Sequence, residues 1–143
     1  MKEELSKKLI EDFPWIFRDR YEAKTKSSFS RKFYVEDGWY GLIRNICEEI
    51  MALHYDTGVQ LTATKVKEKF GTLRFYAQWD GALLPYNQSE IDSIINIGFD
   101  IITKIEDKSS IICEWCANAG KTNTDGWKKT LCDSCQDRRF NGC

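Results

Sequence analysis

Apolar and polar positions along this chain follow two different periods, and the period changes where the predicted elements change. Leu5, Leu9 and Ile10 share one side of residues 2–12, the spacing of a short amphipathic helix that Pro14 ends. Phe13, Trp15 and Phe17 then anchor the chain to a core, and the polar, aperiodic residues 22–32 suit a mobile loop. Phe33-Tyr34-Val35 reads as a brief strand. Leu42, Ile43, Ile46, Ile50 and Leu53 return to helical spacing, so a second helix opens at Asp37-Gly38-Trp39, with Asp37 as its cap. It runs to about His54, and Gly58 is a plausible stop. From there the period falls to two. Val59–Val66 and Thr72–Trp79 read as strands joined through Lys67–Gly71, and in the second strand Leu73, Phe75, Ala77 and Trp79 alternate with polar residues. A third helix spans about Gln88–Asp107. Its apolar face is Ile91, Ile94, Ile95, Ile101, Ile102 and Ile105, and Ser89 with Asp92 resembles an acidic capping box.

These elements predict an α+β fold: a β-hairpin or small antiparallel sheet packed on two to three helices, followed by a C-terminal four-cysteine module. The polar link at residues 107–110 divides the chain into a core at 1–108 and a module at 109–143.

The module carries the sharpest chemical signal. Cys113, Cys116, Cys132 and Cys135 form two C-x-x-C pairs separated by fifteen residues. Each pair comes from one tight turn, so four sulfurs can surround a metal ion tetrahedrally, and the expected cofactor is structural Zn²⁺. Gly120 and Asp125-Gly126 supply turns between the pairs, Trp127 is placed to cover one side of the site, and Asp133–Phe140 suits a short terminal helix. The result is a treble-clef-like variant of a zinc ribbon. A dithiol redox role needs one pair at a strand-to-helix junction of a βαβ unit, which the pattern lacks. Four thiolates leave no open position for a catalytic water. Cys47 reads as a small core residue, and Cys143 as a free terminal thiol.

Charge then narrows the function classes. With 21 basic and 22 acidic side chains the net charge is −1, which removes a bulk argument for nucleic acid. Four thiolates on Zn²⁺ leave the module itself near −1. Locally, residues 18–32 carry six basic side chains against Asp19 and Glu22, and Lys65, Lys67, Lys69 and Arg74 oppose only Glu68. If the strands are regular, the three lysines share one face, and Arg74 and Tyr76 share the matching face of the next strand. Such a surface is either a solvated sheet face with cross-strand acidic partners or a binding face for an anionic surface, a nucleotide or a single strand. No apolar run is long enough to span a bilayer, and the charged N-terminus does not read as an export signal. Cysteines without an export signal suggest the reducing cytoplasm. No nucleophile elbow, Walker loop, zincin or dinucleotide motif occurs. The single histidine, His54, falls at a helix end, where packing is its ordinary role. A non-enzyme is expected.

Taken together, Pro14-Trp15-Ile16-Phe17, Asp37-Gly38-Trp39-Tyr40, the block Val66-Lys67-Glu68-Lys69-Phe70-Gly71-Thr72-Leu73-Arg74-Phe75-Tyr76, Cys113-Glu114-x-Cys116, Gly126-Trp127 and Thr130-Leu131-Cys132-Asp133-x-Cys135 resemble a family of small, uncharacterised bacteriophage and prophage proteins with a zinc-ribbon module. Members of that family often carry His where Cys135 stands, and glycine where Ala117 follows the first pair. The resemblance implies action in the host bacterial cytoplasm. It suggests a non-enzymatic accessory protein that binds and inhibits or redirects a host bacterial protein, for example an anti-CRISPR or anti-nucleotide-signalling factor. The alternatives are a nucleic-acid-binding module built on the basic hairpin and a nucleotide-sequestering protein.

Overall fold

A computed structural model describes residues 1–18 and 33–141, and it has the expected α+β architecture. The basic stretch 19–32 and the terminal Cys143 lie outside the described residues. Helix α1 is Glu3–Asp12 and α2 is Tyr40–Thr57, entered through a 3-10 turn at Asp37–Trp39 and ended at Gly58. Strands β1, Leu61–Lys69, and β2, Thr72–Trp79, form an antiparallel hairpin, and α3 follows at Gln88–Lys108. The C-terminal part holds the short pair β3, Lys121–Thr122, and β4, Thr130–Leu131, then α4, Asp133–Asn141.

Local chemistry moves several boundaries. The hairpin connection is only Phe70-Gly71, with both residues in left-handed backbone (φ 54° and 84°), so Lys67–Lys69 belong to β1. Two consecutive positive φ values are the mark of a tight turn whose twist matches the strands. Helix α3 is capped by Asn87 and Glu90 instead of Ser89 and Asp92: the Asn87 side chain accepts from the Glu90 N–H, and Glu90 accepts from the Asn87 N–H. Asparagine is as good a cap as serine and sits two residues nearer Pro85. Asp37 caps no helix. It accepts a hydrogen bond from the Lys2 N–H at 2.7 Å.

A bulge between Ala63 and Lys65 decides which face of β1 meets the core. Leu61 and Ala63 are buried before it and Val66 after it, so the inward parity switches from odd to even positions. Strict alternation from Leu61 would drive Lys65, Lys67 and Lys69 into the core; one extra residue turns all three outward.

Both edges of the ribbon are engaged. Along β1, Tyr34 forms a parallel bridge beside Lys67, its N–H donating to Val66 O and its carbonyl accepting from Glu68 N–H, while Ala63 N–H donates to Ile16 O. Along β2, Leu73 N–H donates to Ser109 Oγ at 2.8 Å and Phe75 N–H to Glu106 Oε2 at 2.7 Å. The main core lies between the helices and the inner sheet face, around the fully buried Trp39, Phe17, Ile43, Ile46, Leu61 and Leu73. Cys47 is part of it, and burial raises its thiol well above the ordinary range.

A second, smaller cluster is made by Cys113, Leu131 and Cys135, with Trp115 and Cys132 packed on it. Asp37-Gly38-Trp39 joins the two. Gly38 N–H donates to Glu114 O at 2.7 Å, and Trp39 Nε1 donates to Ile112 O at 2.8 Å. The backbones approach so closely that a Cβ on Gly38 would lie 2.1 Å from the Cys113 carbonyl oxygen, a contact only glycine avoids.

Candidate functional site

The first C-x-x-C pair sits on a knuckle. Cys113 O accepts from Ala117 N–H at 2.9 Å, and Cys113 N–H donates to Asn118 O at 2.7 Å, which closes the turn. Ala117 takes φ 70° to make that closure, and this is why glycine suits the position. The second pair opens α4, with the Gln136 N–H returning to Cys132 O. Knuckle, hairpin and helix thus follow in treble-clef order.

The four sulfurs all lie within 4.8 Å of one another, and Cys116 Sγ is 3.6 Å from Cys132 Sγ. Metal–thiolate bonds of about 2.3 Å in a tetrahedron place sulfurs roughly 3.8 Å apart, so the cluster fits one metal ion. Cys113 and Cys135 are buried, while Cys116 is exposed. As free thiols, Cys132 is drawn down to about 7 by the Cys135 backbone N–H, whereas burial pushes Cys135 up to about 12. Arg138 Nη2 donates to Cys135 Sγ at 2.8 Å, a contact that favours the thiolate a metal requires. Trp127 does not cover the site. Its ring is 75% exposed, and Trp115, inside the knuckle, packs on the cluster instead. A tryptophan between two ligands is carried inward by the turn itself, whereas Trp127 sits at the far end of the loop.

Glu114, also between two ligands, is only 1% exposed. Its carboxylate accepts from Lys129 Nζ at 3.1 Å and from Glu36 N–H at 3.2 Å. Lys129 also pairs with Glu68 Oε1 at 3.2 Å, and Glu68 Oε2 accepts from Gly71 N–H. Thr130 Oγ1 adds a bond to Gly71 O at 2.6 Å. One lysine and two carboxylates therefore bolt the metal module to the hairpin tip. Burial raises the Glu114 carboxyl above the ordinary glutamate range, against the pull of Lys129. Burial would also lower the Lys129 ammonium, but Glu114 and Glu68 outweigh it and hold it above its usual value.

On the opposite face of the same hairpin, Lys65 faces Tyr76 across the strands and Lys67 faces Arg74, with Lys69 beside Thr72. The five predicted binding residues therefore do share one surface. Lys67 Nζ lies 6.0 Å from the Tyr76 ring centre, Lys65 Nζ 5.9 Å from Tyr34, and Lys69 Nζ 5.7 Å from Phe70. Glu68, the only acid on β1, points the other way. Among the described residues none of Lys65, Lys67, Lys69 or Arg74 makes an ion pair within 4.0 Å. His54 packs its ring 5.1 Å from Trp15, with Gln60 Nε2 3.4 Å away.

Sequence reasoning passed over Glu114 and Lys129, because a single charge between cysteines looks like any solvated residue. It also passed over Phe70, whose signal was an aromatic where a tight hairpin turn favours asparagine. Comparison with family models, with curated proteins and with solved structures gives no match, so the reading of the site rests on its geometry. Among the described residues no helix is long and apolar enough to cross a membrane.

Proposed function

We propose that this chain is a non-catalytic binding protein in which Cys113, Cys116, Cys132 and Cys135 hold structural zinc and the outer face of β1–β2 binds single-stranded nucleic acid. Four sulfur donors at tetrahedral spacing suit zinc, and they fill its coordination, leaving the ion no site for substrate. One observation carries the binding reading: the bulge and register collect Lys65, Lys67, Lys69, Arg74 and Tyr76 on one surface and turn Glu68 to the other. Lysines above aromatic rings are already arranged to hold phosphates beside stacked bases. The family resemblance supports action in the host bacterial cytoplasm.

Titration of labelled oligothymidylate at several salt concentrations tests the reading. Four cations engaged on a single strand give a log–log salt slope of about −3, and Lys67→Glu or Arg74→Glu weakens binding about tenfold while flattening that slope. Binding insensitive to both reversals at low salt rejects the nucleic-acid reading. Co-purification with an acidic bacterial protein in place of nucleic acid restores host-factor inhibition as the function of this face.

A further inference from the structure

Where the hairpin tip meets the metal module there is a cleft of about 470 Å³ lined by Glu68, Lys69, Phe70, Gly126, Trp127 and Lys128. Two of its walls are large aromatic side chains left in solvent: Phe70 is 70% exposed and Trp127 75% exposed. Neither is loosely held. Phe70 occupies a left-handed turn position, an uncommon and costly conformation for an aromatic residue. The Trp127 carbonyl accepts from both Asn123 Nδ2 at 3.0 Å and Arg139 Nη2 at 2.8 Å. Fixed backbones with exposed rings present preset stacking surfaces, and the strain at Phe70 gains nothing for the core.

Charge identifies the occupant. Lys69 and Lys128 flank the rings, and Glu68, the cleft's one acid, is already paired with Lys129 at 3.2 Å. Through Lys69 the cleft runs on into the basic face of Lys67 and Arg74. Aromatic faces bordered by cations match a nucleobase followed by its phosphates, whereas a purely apolar peptide would strand the lysines. We infer that the Phe70–Trp127 cleft is a stacking site for a base of the single strand whose backbone lies along Lys67, Lys69 and Arg74, an inference that rests on the proposed nucleic-acid function. Because Trp127 belongs to the metal module and Phe70 to the hairpin, the site forms only when the module is folded and docked. Base recognition is therefore metal-dependent.

The test compares a short oligothymidylate with an abasic phosphodiester of equal length and charge, both titrated against the zinc-loaded full chain. The wild type is expected to prefer the base-bearing strand about tenfold. Trp127→Ala and Phe70→Ala should each remove most of that preference and leave abasic binding unchanged, while Trp127→Phe restores it. Lys67→Glu should weaken both strands alike. The alanine variants are followed for zinc content and thermal melting, which exposed rings leave unchanged. If Trp127→Ala keeps the preference, or weakens both strands equally, the stacking site is wrong although the basic face stands. If neither strand binds, the proposed function falls with it, and loss of an acidic protein partner on Trp127→Ala would overturn the base assignment in favour of a protein-binding cleft.

Discussion

The α+β core and the C-terminal module are built by different physics within one chain. The core buries a continuous set of aliphatic and aromatic side chains, from Leu9 through Trp39 and Ile46 to Ile105. Among the described residues, the module's own apolar cluster buries only Cys113, Leu131 and Cys135, with Trp115 and Cys132 partly buried against it, and its two strands have two residues each. So little apolar area cannot offset the entropy of ordering a segment of that length. A metal ion held by the four cysteines would supply the missing free energy, and the ionic bolt of Glu68, Glu114 and Lys129 fixes where the segment sits. The core is therefore expected to keep its shape without a folded module, and the module to require both a metal ion and the core.

The largest effect expected from that contrast comes from removing the metal. Structural zinc sites carry apparent binding energies on the order of 10 kcal/mol, so chelation or Cys113→Ser should unfold residues 109–141. Amide exchange should then rise across β3, β4 and α4 while α2 and α3 stay protected. Equal loss of protection in α2 would show that the two regions fold as one unit. The bolt comes next. Glu114→Ala leaves the half-buried Lys129 with a single partner and should cost about 2 kcal/mol in urea unfolding, less than for a fully buried pair because Lys129 keeps some contact with water. Glu114→Gln should cost far less and change the pH dependence. Because the folded-state carboxyl is raised, it favours the folded state most below the ordinary glutamate range, and that contribution fades as pH rises through the raised value. The amide does not titrate, so stability profiles of wild type and Glu114→Gln should draw apart as pH rises from the ordinary glutamate range to the raised value and run parallel above it, with the glutamine form ahead at neutral pH. A wild type that instead gains stability relative to the glutamine form on the same rise would contradict the assignment. The smallest effect is local to the module: Ala117→Gly relieves a left-handed alanine and should raise the module's stability by about 1 kcal/mol, seen as slower zinc loss to a chelator, with the core transition unmoved.

Much of this contrast was legible in the sequence. Cysteine spacing places the metal site because ligand geometry is local, and the aliphatic repeats place α2 and α3 because helix faces are periodic. The shared face of Lys65, Lys67 and Lys69 was also readable, although its cause was not: the bulge at residues 63–65 leaves no mark in composition. The ionic bolt was hidden for a different reason. Glu68, Glu114 and Lys129 are far apart in the chain, and burial by tertiary docking alone turns three ordinary surface charges into one structural unit. Asp37-Gly38-Trp39 was read as a helix start and proves also to be the seat of the knuckle, a role set by a backbone contact with Cys113 and Glu114.

The engaged edges of the hairpin bear on how any partner can be chosen. Tyr34 and Ile16 occupy one side, and Ser109 and Glu106 occupy the other. A visiting peptide finds those stretches closed to strand addition, so β-augmentation, a sequence-tolerant mode of capture, is blocked there. Recognition falls to side chains projecting from a ladder that does not depend on them. Such a surface can be rewritten residue by residue, changing what it grips while the scaffold beneath stays the same.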